Sequence, residues 1–110
     1  MGFDALEVSL QMIEALRPLL ERLKQKNSEL VDQLERAASS VAMNLAEGAK
    51  RRGKDREHFF RTASGSNAEV RAALAVAIAW GYIDRASAAH AEILLDRLGA
   101  MLWRLSPARG

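Results

Sequence analysis

The stretch NLAEGAKRRGKDREHFF, residues 44–60, decides how this chain is read. Five cations, Lys50, Arg51, Arg52, Lys54 and Arg56, fall within seven positions, against one acid, Asp55. Upstream, Leu30, Leu34, Ala37, Val41 and Leu45 recur at helical spacing. Downstream, Phe59, Phe60, Ala63, Val70, Leu74 and Ala77 do the same. The stretch therefore reads as the end of one helix, a basic loop over residues 49–53, and the start of another helix. Gly48 is expected to cap the first helix, and Asn27 or Ser28 to open it.

Working outward, two further helices are expected. The first covers residues 4–26 and carries two adjacent apolar stripes. One is Ala5, Val8, Met12, Ala15 and Leu19; the other is Leu6, Leu10, Ile13, Leu16, Leu20 and Leu23. Together they make an arc wider than one packing seam needs. Pro18 falls inside this helix, where it removes one backbone bond and predicts a kink. The helix after the basic loop spans residues 54–80, and AALAVAIAW at its end is apolar all round. Gly81 ends it. A last helix starts at Asp84 or Ser87 and presents Ala91, Leu94, Leu98, Met101 and Leu105 on one stripe. Four helices with short connections predict an all-α, antiparallel up-down four-helix bundle, with residues 1–110 as one domain. The surplus apolar surface of the first and third helices predicts a homo-oligomer.

Composition narrows the function. The chain has 110 residues, sixteen Lys and Arg against fourteen Asp and Glu, and a formal net charge of +2. With so small a net field, the placement of charge matters more than its total. Cysteine is absent, which removes disulfides, thiolate nucleophiles and cysteine–zinc sites. The opening MGFDALEVSL lacks the pattern of a signal peptide, and the longest charge-free run, residues 72–83, is too short to span a bilayer. A cytoplasmic protein with no membrane association is expected.

Catalytic chemistry finds little support. A di-metal bundle site needs Glu-x-x-His on two helices, whereas Asp55 precedes His58 by three and Ser87 precedes His90 by three. No nucleophile elbow or phosphate-binding glycine loop occurs. No catalytic residue, metal or cofactor is expected, and the chain reads as a non-enzyme. Polar residues within helices carry more information. Asn44 and Glu47 are neighbours on one helix face. Glu47 sits at a helix C-terminus, where the dipole disfavours an anion, so it requires a cationic or donor partner. Gly65 costs its helix roughly 1 kcal/mol against alanine. Close helix approach there would let Ser66 and Glu69 meet Asn44 or Glu47, in a buried polar network that fixes register, the favoured reading, or in a ligand site.

The basic segment has a bland reading, a solvated turn that partly neutralises Glu47 and Glu57. In a closed ring, however, the cluster repeats once per subunit and forms a positive rim suited to phosphates. Phe59 and Phe60 read as core residues, so stacking platforms for bases are scarce.

SSVAMNLAEG (residues 39–48), the basic loop, GSNAEV (residues 65–70) and WGYI (residues 80–83) together resemble a bacterial four-helix-bundle family. It includes proteins encoded within 23S ribosomal RNA intervening sequences and is similar to the accessory proteins of diversity-generating retroelements. Asn44, Glu47, Gly48, Gly65, Ser66 and Glu69 match its signature positions. Ala42 stands where the family pattern has proline, which favours an unbroken second helix here. The resemblance implies a pentameric ring, binding of RNA or DNA and, in the retroelement branch, a reverse-transcriptase partner. The leading expectation is non-catalytic nucleic-acid binding through Lys50, Arg51, Arg52, Lys54 and Arg56. The alternative is a protein-interaction scaffold.

Overall fold

The computed structural model describes residues 2–105, with side chains from Asp4 onward. Four helices follow one another: α1 (Gly2–Leu23), α2 (Ser28–Ala49), α3 (Gly53–Ala79) and α4 (Arg85–Arg104). No strand occurs among the described residues. Helix α1 packs on α2 and α4, and α3 packs on the same two, so the chain order is the order around the bundle. Between α2 and α3, Gly48 meets Phe60 while Ser40 meets Ser66. The partner number rises as the first falls, so the two helices run antiparallel. The longest extent, 43 Å, matches the 27-residue α3 at about 1.5 Å per residue.

The buried set follows the expected faces. Ala5, Val8, Met12, Leu16, Leu19 and Leu23 of α1 enter the core, with Leu34, Val41 and Leu45 of α2, Phe60, Val70 and Leu74 of α3, and Leu94, Leu95, Leu98 and Leu102 of α4. The second stripe of α1 is only partly covered. Leu6, Ile13 and Leu20 are half-buried and Leu10 is exposed. Helix α3 likewise buries Ala73, Leu74 and Ala77 but leaves Val76 and Trp80 outside, with Trp80 70% exposed.

Helix ends show where local chemistry prevailed. Helix α1 stops at Leu23 rather than running to residue 26, because Asn27 is needed to cap α2. Its side chain accepts from the Leu30 amide at 3.0 Å. Helix α2 is continuous through Ala42, as its sequence favours. It passes through Gly48 to Ala49 with no left-handed residue at its end; among the described residues, positive φ occurs only at Gly53 (59°) and Gly81 (78°). Gly48 is thus not a cap. An alanine Cβ there would lie 2.6 Å from Phe60 Cε1 and 3.1 Å from Phe59 Cβ, so its role is to let α3 approach. Helix α1 runs through Pro18, which lies on its exposed side.

Candidate nucleic-acid interface

The basic segment lies at one pole of the bundle, where α2 ends, α3 starts and α4 ends. Its geometry begins with Glu47. Arg51 donates from Nη2 to Glu47 Oε2 at 2.9 Å and from Nη1 to Asp55 Oδ2 at 2.8 Å. The same guanidinium lies 4.9 Å from the centre of the Phe59 ring. Lys50 approaches Glu47 more loosely, at 3.8 Å. Glu47 therefore has the cationic partner that its place at a helix C-terminus demands. The Arg51 hydrogen bond, reinforced by Lys50, holds its carboxyl below the usual carboxylate range. The two carboxylates push the Arg51 guanidinium further up. Arg51 thus joins the end of α2 to the first turn of α3.

The remaining cations are placed differently. Arg52, Lys54 and Arg56 form no ion pair among the described residues. Arg52 and Lys54 are exposed. Arg56 is half-buried, with its guanidinium 5.3 Å from the Phe60 ring centre. Arg52 occupies the N-cap position of α3 and makes no side-chain capping bond. This end of α3 combines a positive helix terminus with three cations that lack a carboxylate partner among the described residues, against one acid of the first turn, Asp55, an arrangement that is unfavourable for the isolated chain.

The expected polar network is smaller than its sequence positions imply. Ser40 and Ser66 hydroxyls meet at 2.8 Å across α2 and α3. Asn44 Nδ2 donates to the Ser40 carbonyl at 2.8 Å and to its hydroxyl at 3.0 Å. Glu47 is not a member, since it is spent on the basic loop. Glu69 is exposed, on a different side of α3 from Ser66. Gly65 is also exposed, and nothing lies within 4 Å of a Cβ placed there, so close approach within the chain does not explain it. The spacing of Ser66 and Glu69, three apart, allowed them one face; the core seam of α3 instead passes through Ala63, Asn67, Val70 and Leu74. Ser9, Ser40 and Asn67 are polar residues that the expected network did not include; Ser9, fully buried, donates to the Leu6 carbonyl at 2.6 Å within its own helix. Ser40 is detectable as the i−4 neighbour of Asn44. Asn67 is 3% exposed and donates to the Leu95 carbonyl at 3.2 Å, tying α3 to α4. Both histidines are exposed, and no group of three potential ligands is gathered among the described residues. No described helix is long and apolar enough to cross a membrane.

A four-helix bundle with a basic pole and an α2–α3 seam of small and polar residues defines the class. Within it, the model of the 23S rRNA-intervening sequence protein family matches residues 4–104, and the chain belongs to that family. A comparison with curated proteins finds no match. Among solved structures, the chain is similar to a protein of unknown function from the S23 ribosomal protein family of Bacteroides thetaiotaomicron. The TM-score is 0.84 and the identity 18%, covering 94% of this chain and 99% of that one. At that identity the likeness establishes the fold.

Proposed function

We propose that this protein is a non-catalytic, oligomeric nucleic-acid-binding protein of the cytoplasm, and that it contacts the phosphate backbone of RNA, or of DNA, through its basic pole. The observation that carries the reading is the set of cations at the start of α3 that pair with no carboxylate among the described residues, Arg52, Lys54 and Arg56, in a chain whose net charge is only +2. Lys50 adds to the same field, and Arg51 shapes the pole while keeping part of its charge at the surface. Cations at a helix N-terminus oppose the dipole, so a polyanionic partner supplies the reason for them.

The oligomer in this reading is a ring, with five subunits as the family resemblance implies. Its support is the uncovered side of α3, where Gly65, Ala68, Ala72, Val76 and Trp80 recur at helical spacing and are exposed. Repetition of the basic pole around a ring turns a few cations into a continuous track. A second reading, a scaffold that docks another protein such as a reverse transcriptase, is favoured by the exposed Ile93 and Trp103 of α4.

The test is a filter-binding titration of a structured RNA against salt, with parent protein and an Arg52→Ala, Lys54→Ala, Arg56→Ala variant. The salt slope should fall by about 0.7 to 0.9 for each phosphate that the variant no longer neutralises, for all RNA sequences alike. Equal slopes in the two proteins, or no binding by the parent at low salt, sink the nucleic-acid reading.

A further inference from the structure

A cleft of about 360 Å³ opens between the first turns of α3 and the end of α4, lined by Gly53, Arg56, Glu57, Phe60, Arg104 and Leu105. Resting on the nucleic-acid reading above, we propose that this cleft seats one backbone phosphate between the guanidinium groups of Arg56 and Arg104. Arg104 lies 48 positions beyond Arg56 in sequence and outside the basic segment; the fold alone brings it to the same pole.

Three observations converge on an anion. Neither arginine forms an ion pair among the described residues, although one cleft wall carries a carboxylate, Glu57. That carboxylate has a loose partner of its own in Arg61, at 3.8 Å on the same helix, and is not paired with either arginine among the described residues. Arg56 is also preorganised, because its guanidinium lies against the buried Phe60 ring and loses little freedom on binding. Two arginines lining one cleft offer a phosphate more donors than a single surface lysine does. Lys54 and Arg52, both exposed, flank Gly53 of the cleft wall in sequence. A chain of phosphates, rather than one isolated anion, suits that run of cations.

The experiment measures binding of a fluorescein-labelled RNA hairpin to the full chain at several salt concentrations. It compares the parent with Arg104→Gln, Arg104→Lys, Arg56→Gln, the Arg56→Gln/Arg104→Gln pair and Arg85→Gln, the last removing a cation at the opposite pole. Arg104→Gln and Arg56→Gln should each weaken binding and lower the salt slope by up to about 0.9. Arg104→Lys should restore most of the slope, and the double variant should fall short of twice the single loss, since both arginines act on one phosphate. Thermal unfolding should be unchanged by Arg104→Gln, whose side chain is exposed.

If Arg104→Gln binds RNA like Arg85→Gln, the cleft proposal is overturned while the basic-loop reading stands. If the parent binds no RNA, both fall. Displacement of the hairpin by polyglutamate as effectively as by unlabelled RNA at matched ionic strength overturns the phosphate assignment in favour of an acidic protein segment. Binding of inorganic phosphate that is lost in Arg104→Gln, with RNA affinity intact, would make this a free-phosphate site and overturn the backbone role.

Discussion

The two poles of the bundle are finished in opposite ways. At the pole holding residues 24–27 and 80–84, helix ends are closed by the chain itself. Asn27 caps α2, and Asp84 caps α4 by accepting from the Ser87 amide at 3.2 Å and the Ser87 hydroxyl at 2.6 Å. Gly81, at φ 78°, lets the Tyr82 amide return to the Ala77 carbonyl at 3.0 Å, which satisfies the end of α3. Arg22 reaches Asp84 at 3.5 Å and links α1 to the cap of α4. At the basic pole, α3 starts under an arginine that does not cap it, and α2 ends without a left-handed residue. Local stability accounts for the first pole. The second retains cations, Arg52 and Lys54, that work against its own helix, as the proposed contact with a polyanion requires.

The largest expected effect lies at the seam beneath the basic pole. Gly48→Ala should destabilise the fold by roughly 1 to 3 kcal/mol, because the buried Phe60 ring cannot retreat from a Cβ at 2.6 Å. Alanine's better helix propensity offsets about 1 kcal/mol of the clash. A denaturation midpoint equal to the parent's would show that the seam is loose.

The capping contrast itself can be reversed. Asn27→Ala should cost about 1 kcal/mol, whereas Arg52→Ser, which supplies α3 with a capping hydroxyl, should stabilise the fold by a few tenths to about 1 kcal/mol. The same Arg52→Ser should weaken RNA binding. Stabilisation without any loss of affinity would remove the functional explanation of the uncapped end. Asp84 adds a pH arm. The Ser87 hydrogen bonds hold its carboxyl below the usual range, so the unfolded chain takes up the proton first on acidification. Its stabilising contribution is complete above the ordinary carboxylate pKa and is lost as pH falls through the lowered folded value. Asp84→Asn, which still caps but does not titrate, should flatten the acid side of the stability profile.

Gly65→Ala should stabilise the isolated chain by about 0.5 to 1 kcal/mol, since nothing opposes a Cβ there. Loss of the oligomer by light scattering in that variant would place Gly65 at a subunit contact. The smallest effect is expected at Glu69, where the exposed side chain makes Glu69→Ala neutral to within about 0.5 kcal/mol. A larger loss in thermal unfolding would mean that another subunit covers Glu69.

Much of this molecule was decided locally and could be read from its order of residues. Apolar recurrence at three and four placed all four helices, because each needs one face dry. Asn27, Asp84 and Gly81 marked helix ends through bonds that span only a few positions. The demand of Glu47 for a cation followed from its own helix terminus, and Arg51 met it four residues later. Contacts between distant positions belong to the tertiary structure. Only packing distinguished Gly48, against Phe60, from Gly65, in open space, since a glycine's purpose depends on what approaches it. Only the angular setting of α3 put Ser66 against Ser40 and turned Glu69 outward, because residues three apart diverge by some 60° around a helix with 3.6 residues per turn. The packing of α3 on α4 brought Arg104 to the same cleft as Arg56, a juxtaposition no local spacing encodes.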